Sequence, residues 1–352
     1  MTGGTLAIEK RSILSHFFTS MWFESLTGFS EESPTQVRNN LAVDGNILKS
    51  RVNGRSYIFG ELEIPSLAEL RERVRSVGLK RGQIVVGELV GDVQSLHAKV
   101  SNAGSLFQVA SQFNLLEMVS PSVTPERGVA IYENDCTQGP ACAIACGAGT
   151  IYRNYFAVLK GQIGQSTGHQ IDCLKDMGVA LGNSEGRLWR MKNGYALASH
   201  EGLATISSRL RASSENDIDN LRKLLRIGIQ WDTQVTFNDF SHTVSQAYCS
   251  AMPVAYTSHP LTLWTDFARL ILEASYEATL CASILNSTRL GNNKVFLTLL
   301  GGGVFGNDQK WILDSIKRAM NIYKDFDLEV FIVSYGSSRP AIRELVEASK
   351  NW

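Results

Sequence analysis

The chain has 352 residues, and its 34 Lys and Arg balance its 34 Asp and Glu, so the formal net charge at pH 7 is zero. A neutral surface has no overall attraction to nucleic acid or to anionic membranes, so any anion site has to be local. No apolar run approaches the ~20 residues that span a bilayer, and residues 1–11 lack the apolar core of a signal peptide. We therefore expect a cytoplasmic location, with no nucleic-acid or membrane partner.

The first 80 residues have the composition of a small mixed lobe. An apolar cluster at 17–23 is followed by a loop around Pro34 and by Asn53-Gly54, which predicts a hairpin between Leu48 and Phe59. Ser66 and Glu69 form a capping-box pattern that predicts a helix over 65–75. We predict an accessory α+β lobe over residues 1–80 and a second domain over residues 81–352.

The second domain alternates β-type runs with helical patterns, which is typical of an α/β sheet with helices on its faces. Helices are predicted over 141–146, 218–225, 264–285 and 309–323, and the apolar stripe of the third is core-facing. Strands are predicted at Ile84–Val90, Gly128–Tyr132, Ile227–Phe237, Val254–Tyr256, Val295–Leu300 and Leu328–Tyr335.

A glycine-rich turn links the strand at 295–300 to the helix at 309–323. Gly301, Gly302 and Gly303 let backbone N–H groups approach an anion, and the start of the helix adds unpaired donors and a favourable dipole. The sequence fits neither the P-loop pattern nor G-x-G-x-x-G, so a P-loop NTPase and a Rossmann dehydrogenase are disfavoured. A diphosphate cradle and an ordinary tight turn both remain open for this segment.

A second polar segment covers residues 101–150. Asp135 follows a predicted strand and precedes the small-residue helix at 141–146, which would place its carboxylate where α/β sheets bind ligands. The alternative is that Asp135 only caps that helix. The six cysteines and the scattered histidines lack ligand spacing, so we expect buried free thiols, Cys136 among them, and neither a metal nor a cofactor.

These two segments resemble the ligand loops of macrodomains. Residues 297–308 resemble the second phosphate loop of poly-ADP-ribose glycohydrolase relatives, and Val90-Gly-Asp-Val93 looks like the acidic step that recognises adenine. The paired catalytic glutamates of the glycohydrolases are replaced by Gln112-Phe113-Asn114. With residues 112–118 and 135–155, the chain resembles the MavL-like arginine-specific ADP-ribosyl hydrolases, which implies a macrodomain-like mixed sheet flanked by helices.

The resemblance also implies roles for individual residues. Asp135 and Asp308 would be the catalytic carboxylates, and Asp92 with Val93 would contact adenine. Asn114 and Gln138 would hold ribose hydroxyls, and Phe305 would lie beside the ribose. Backbone donors and neighbouring groups of the two loops would bind the diphosphate: Thr137, Gly139, Ala141, Gly301, Gly302, Gly303, Val304, Gly306 and Asn307.

The expected function is removal of mono-ADP-ribose from a modified protein side chain. Arginine is the expected linkage, because a carboxylate such as Asp135 suits a cationic guanidinium leaving group. The partners would be ADP-ribose and a mono-ADP-ribosylated protein. Two alternatives remain open at this stage: a non-catalytic ADP-ribose-binding reader module, and a phosphate-binding transferase or hydrolase unrelated to ADP-ribose.

Overall fold

The computed structural model describes residues 22–78 and 82–350. Its helices are α1 (Trp22–Thr27), α2 (Pro34–Asn40), α3 (Leu67–Ser76), α4 (Val93–Ala98), α5 (Gln138–Ala145), α6 (Gly147–Tyr155), α7 (Lys175–Leu181), α8 (His200–Ala212), α9 (Glu215–Arg222), α10 (Leu261–Leu290), α11 (Gln309–Ile322) and α12 (Pro340–Ser349).

The strands are β1 (Leu41–Asp44), β2 (Ile47–Ser50), β3 (Ser56–Ile58), β4 (Glu61–Glu63), β5 (Val85–Val90), β6 (Leu106–Ala110), β7 (Val158–Leu159), β8 (Gln162–Ile163), β9 (Trp189–Lys192), β10 (Tyr195–Ala198), β11 (Gly228–Gln234), β12 (Thr243–Cys249), β13 (Lys294–Leu297) and β14 (Glu329–Ser334).

A seven-stranded mixed sheet in the order β4-β11-β12-β6-β13-β14-β5 forms the centre of the described chain. The five strands from β12 to β5 are parallel to their neighbours, and β4 and β11 are antiparallel. Parallel strands are covered on both faces, which is why β6 and β12 are buried along nearly all of their length. The carboxyl ends of these five strands share one edge, where open α/β sheets bind ligands.

Helices cover this sheet. The 30-residue α10 packs along β6, β12 and β13 and also contacts α3, α8 and α11, while α5 and α6 pack on β6 and β11. The predicted fold class, an α/β protein with a mixed sheet flanked by helices, is therefore confirmed. Among the helices of the described residues, none is both long and apolar enough to cross a membrane.

The N-terminal part has its own three-stranded antiparallel sheet, β1-β2-β3. A separate apolar cluster joins it to the second domain, with Phe23, Val37 and Leu41 packed in the same cluster as Leu116 and Ile151. However, β4 pairs with β11 of the central sheet, and α3 packs on α10. The boundary at residue 80 stays a prediction. The predicted apolar pair at 17–18 lies outside the described residues.

Two predicted strands are wrong. Residues 128–129 are in no strand, residues 130–132 belong to the 3₁₀ segment Ala130–Asn134, and residues 254–256 form the 3₁₀ segment Val254–Tyr256. Both are short apolar runs, for which periodicity cannot separate strand from other buried structure. Gly128 has φ 90°, outside the range of extended backbone, and Val254 follows Pro253, which donates no ladder hydrogen bond.

Candidate functional site

A cavity of about 460 Å³ opens at the edge where β6 and β13 end. This volume lies in the range of roughly 300–1,000 Å³ that is typical of small-molecule sites. Its walls come from the segments after β6 and β13, the start of α5, and two tyrosines from other elements: Ala110, Ser111, Gln112, Glu117, Met118, Val119, Asn134, Asp135, Cys136, Thr137, Gln138, Gly139, Pro140, Tyr195, Ala251, Tyr256, Thr298, Leu299, Leu300, Gly301, Gly303, Val304 and Phe305.

The start of α5 forms one wall. Thr137 occupies the N-cap position, but its side chain makes no capping hydrogen bond, so donors of the first turn are left for another partner. Gly139 packs directly on β6, since a Cβ atom there would lie 2.0 Å from the carbonyl oxygen of Ala110. The Gln138 side chain holds the same strand, donating to the carbonyl oxygen of Gln108 at 2.8 Å and accepting from Ala110 N at 2.8 Å.

The glycine loop after β13 forms the facing wall. Asn307 N donates to the carbonyl oxygen of Gly301 at 2.9 Å, and Asn307 Nδ2 donates to Met252 O at 2.8 Å, which ties the loop to the segment after β12. Gly301 has φ 73°, and a Cβ atom there would lie 2.5 Å from the Cβ of Ala251. Within the described residues, the N–H of Gly303 has no acceptor, so it is available to an anion.

No cavity-lining residue in the described chain is Lys or Arg. A bound anion would therefore be held by backbone N–H groups from both walls and by the dipole of α5.

Two carboxylates line the cavity, and their surroundings differ. Asp135 is partly exposed, and its Oδ1 accepts from Thr137 N at 2.9 Å. Glu117 is only 3% exposed. Burial raises the pKa of Glu117 to about 7, and the charge of Arg153 opposes this shift. The cavity therefore holds one buried carboxyl group whose pKa is raised toward neutral pH and a second carboxyl group that is more exposed.

Arg153 on α6 anchors Glu117 from below the cavity. Its Nη2 lies 3.4 Å from both Glu117 carboxylate oxygens, and its Nε donates to Leu115 O at 3.1 Å. The guanidinium also stacks 3.7 Å over the ring of Tyr248 and donates to that hydroxyl. Since Arg153 is fully buried, its charge is compensated by these partners together with Thr150 Oγ1, which accepts from Nη2 at 3.3 Å.

Three aromatic rings form the remaining wall. The ring centroids of Tyr195, Tyr256 and Phe305 lie 5.1–5.5 Å apart. Tyr195 is held by a 2.6 Å hydrogen bond from its hydroxyl to Met118 O. Burial raises the pKa of Tyr195, and the interactions with Tyr256 and Asp135 raise it further. Asp135 therefore interacts electrostatically with the aromatic wall. Aromatic faces near a carboxylate attract cations.

Half of the residues predicted for the site line this cavity. They are Asp135, Thr137, Gln138, Gly139, Gly301, Gly303, Val304 and Phe305. The residues that do not line it are Asp92, Val93, Asn114, Ala141, Gly302, Gly306, Asn307 and Asp308. The structure thus brings the two predicted loops together, and it places the adenine candidates at the end of β5, two strands beyond β13 in the sheet.

Three of the outlying residues have structural partners. Asp308 is the N-cap of α11 and accepts from Lys310 N at 2.7 Å, and Asp92 caps α4 by accepting from Ser95 N at 2.8 Å. Asn114 is fully buried, with Nδ2 donating to Gln170 Oε1 at 2.8 Å. The side chains of Asp308 and Asn114 thus make contacts within the protein and do not line the cavity. The catalytic role of Asp308 and the ribose contact of Asn114 stay predictions.

Four of the cavity residues that the sequence did not predict have side chains of chemical interest. Glu117 belongs to the polar segment 101–150 of the sequence, but only its burial beside Arg153 in the structure shows its unusual environment. Tyr195 and Tyr256 come from β10 and from the segment after β12, and no local pattern connects them to the loops. Cys136, expected as a core thiol, is exposed and lines the cavity, whereas the other five cysteines are buried.

Comparisons with known proteins give structural matches only. No protein-family model and no curated protein sequence matches the chain. Among solved structures, it is similar to poly(ADP-ribose) glycohydrolase from Deinococcus radiodurans in complex with ADP-ribose, at 11% identity, 82% coverage of this chain, 94% of that chain and a TM-score of 0.42.

It is also similar to the poly(ADP-ribose) glycohydrolase from Thermomonospora curvata, at 11% identity over 90% of this chain and 96% of that chain, with a TM-score of 0.44. The same enzyme bound to the inhibitor ADP-HPD matches at 10% identity over 90% and 97%, with a TM-score of 0.42. These values are too low to carry residue roles across, so the roles of the site residues are argued from the geometry of this chain.

Proposed function

We propose that this protein is a hydrolase that removes ADP-ribose from mono-ADP-ribosylated protein side chains by cleaving the glycosidic bond at the ribose. The observation that carries the proposal is the placement of two unlike carboxyl groups, Glu117 and Asp135, in one cavity with two backbone-donor loops. The loops suit the diphosphate, and the carboxyl groups suit cleavage of a glycosidic bond. The macrodomain resemblance of the loop sequences supports ADP-ribose as the ligand.

The chemistry divides between the two carboxyl groups. Glu117, protonated below its raised pKa, donates its proton to the leaving atom as the bond to ribose C1 breaks. Asp135 stabilises the positive charge that develops on the ribose and takes a proton from the attacking water, whose oxygen bonds to C1. The proton that Asp135 gains offsets the one that Glu117 gives, so the net reaction adds one water across the bond. The rate should fall as the pH rises above about 7, as Glu117 ionises.

Arginine is the linkage that we propose, because the cavity wall favours a cation. A guanidinium could pair with the Asp135 carboxylate and lie against the rings of Tyr195, Tyr256 and Phe305. Glutamate and serine linkages offer no cationic group to this wall. The guanidine leaves as a cation once it has received the proton of Glu117.

The test compares Asp135→Ala with the wild type. We expect the release rate to fall at least ~100-fold while ADP-ribose affinity stays within a few-fold, since the backbone loops hold the ligand. An exposed carboxylate away from the cavity, Glu32, supplies the control Glu32→Gln, which should release ADP-ribose at the wild-type rate. A loss under ~3-fold in Asp135→Ala would remove Asp135 from the mechanism. Tight ADP-ribose binding without release from any linkage would favour the reader module.

A further inference from the structure

Besides the apolar cluster, the side chain of Glu31 connects the N-terminal lobe to the segment that carries Asp135. Glu31 lies between α1 and α2, and each of its carboxylate oxygens accepts a backbone hydrogen bond. Its Oε1 accepts from Val129 N at 3.0 Å and its Oε2 from Ala130 N at 2.7 Å. Oε1 also accepts from the Tyr155 hydroxyl on α6 at 2.7 Å. The carboxylate therefore clamps the start of the turn Ala130–Asn134 against α6.

Gly128 makes this approach possible. A Cβ atom at this position would lie 2.2 Å from Glu31 Oε2, and the residue has φ 90°. The glycine is thus required both for its backbone conformation and for the space that the carboxylate occupies. The backbone at Gly128 is therefore in direct contact with the Glu31 carboxylate.

The clamped turn supports both cavity carboxyl groups. Tyr132 in the middle of the turn is buried, and its hydroxyl accepts from Glu117 N at 3.0 Å. At the end of the turn, Asp135 N donates to Tyr132 O at 3.1 Å. The backbone positions of Glu117 and Asp135 therefore both depend on the Ala130–Asn134 turn, whose first N–H group is held by Glu31.

We propose that Glu31 is a positioning residue for the hydrolase and that the N-terminal lobe is part of the active site through it. Displacement of a catalytic group by about 1 Å can cost about 100-fold in rate, so a clamp of three hydrogen bonds on this turn has a direct catalytic consequence. The diphosphate loops lie at α5 and after β13 and have no contact with Glu31 among the hydrogen bonds of the described residues. ADP-ribose affinity should therefore depend on Glu31 much less than turnover does.

The test uses Glu31→Ala and Glu31→Asp, with Val37→Ala as a matched control. Val37 is buried in the apolar cluster that joins the lobe to the second domain, and among the described residues it makes no hydrogen bond to the turn, so its truncation weakens the cluster without removing a hydrogen bond of the clamp. Hydrogen exchange is measured over residues 128–136, together with kcat and the Kd of ADP-ribose. In Glu31→Ala we expect faster exchange in this segment, a loss of kcat of at least ~10-fold and a Kd within ~3-fold.

The conservative change Glu31→Asp should recover part of kcat, and Val37→Ala should lower Tm with kcat unchanged. Unchanged exchange over residues 128–136 in Glu31→Ala would overturn the inference, as would faster exchange with normal kcat. An equal loss of kcat in Val37→Ala would also overturn it, because the effect would then reflect stability alone. The expected loss of kcat rests on the proposed function, whereas the expected change in hydrogen exchange does not. A wild type that is inert on every linkage would refute the function, and the clamp would then be judged by exchange.

Discussion

Replacement of Glu117 by Gln should change how the stability of the protein depends on pH. The side chain is 3% exposed, and burial raises its pKa from the ordinary value of 4.5 to about 7. A carboxyl group whose folded-state pKa is raised stabilises the protein fully below its unfolded pKa. That contribution is lost as the pH rises through the folded-state pKa, because the folded state then has to ionise a buried group. The amide side chain of the Glu117→Gln variant does not titrate, so the variant lacks this contribution.

The magnitude follows from the two pKa values. Integration of proton binding from near pH 5 to near pH 8 gives a loss of roughly 2–3 kcal/mol in the wild type, which should be absent in Glu117→Gln. Any change in packing or hydrogen bonding that the amide causes near pH 5, where Glu117 is protonated, is a constant offset and cancels from the difference. The attraction of Arg153 for the ionised form of Glu117 is already contained in the folded-state pKa of about 7.

The assay is urea unfolding at both pH values for the wild type, Glu117→Gln and the control Glu32→Gln. The free energy of unfolding of the wild type minus that of Glu117→Gln should fall by roughly 2–3 kcal/mol between near pH 5 and near pH 8. The same difference for Glu32→Gln should change much less, because that carboxylate is exposed. A change under about 0.5 kcal/mol for Glu117→Gln would refute the reasoning. Arg153 would then outweigh burial and keep Glu117 ionised throughout.

Three further variants test other parts of the site. Asp308→Ala removes the N-cap of α11 and should lower the free energy of unfolding, measured in urea, by about 1 kcal/mol. The rate of ADP-ribose release should stay within about 3-fold of the wild type. A loss of about 100-fold would show that Asp308 takes part in the mechanism. Gly139→Ala places a Cβ atom 2.0 Å from Ala110 O, so α5 has to shift. Calorimetry should then show ADP-ribose binding weakened by more than about 10-fold. Normal binding would show that α5 does not form the anion-binding wall. Tyr256→Leu should raise KM for an arginine-linked substrate about 5-fold, because it removes the aromatic face. Tyr256→Phe keeps that face and should have a KM near that of the wild type. Equal KM values for the two variants would exclude a cation–π role of Tyr256.

The sequence predicted the elements whose signals are local. The capping box at Ser66 and Glu69 is present in the structure with both reciprocal hydrogen bonds, and the Asn53-Gly54 hairpin connects β2 to β3. The long apolar stripe of α10 is buried, as its spacing predicts. In each case a short stretch contains the complete physical cause, whether a cap, a turn or a helical period.

The central strands β6 and β12 were missed for a reason that the structure makes clear. Each carries a buried glutamine near its middle, Gln108 in β6 and Gln246 in β12, and β12 also contains the buried Ser245. Gln108 donates to Thr279 on α10, and Gln246 donates to Cys142 O on α5, so partners distant in sequence satisfy both amides. A single sequence does not reveal those partners, and polar residues then disguise a buried strand.

The candidate site shows the same limit. The glycine loop and the start of α5 carry their own sequence signals, and the structure brings them to one cavity. The environment of Glu117 depends on Arg153, 36 residues along the chain, and the clamp on the Asp135 segment depends on Glu31, 98 and 99 residues from its backbone partners. Interactions over such separations arise from the fold and leave no local pattern.

Release of ADP-ribose from an arginine-mono-ADP-ribosylated protein tests the central claim most directly. The wild type, Asp135→Ala and Glu117→Gln would be incubated with arginine-, glutamate- and serine-modified substrates, and free ADP-ribose would be measured. We predict release from the arginine-linked substrate by the wild type alone, with both variants slowed at least ~100-fold. No release from any substrate by a wild type that binds ADP-ribose would contradict the hydrolase, and absence of ADP-ribose binding would contradict the site itself.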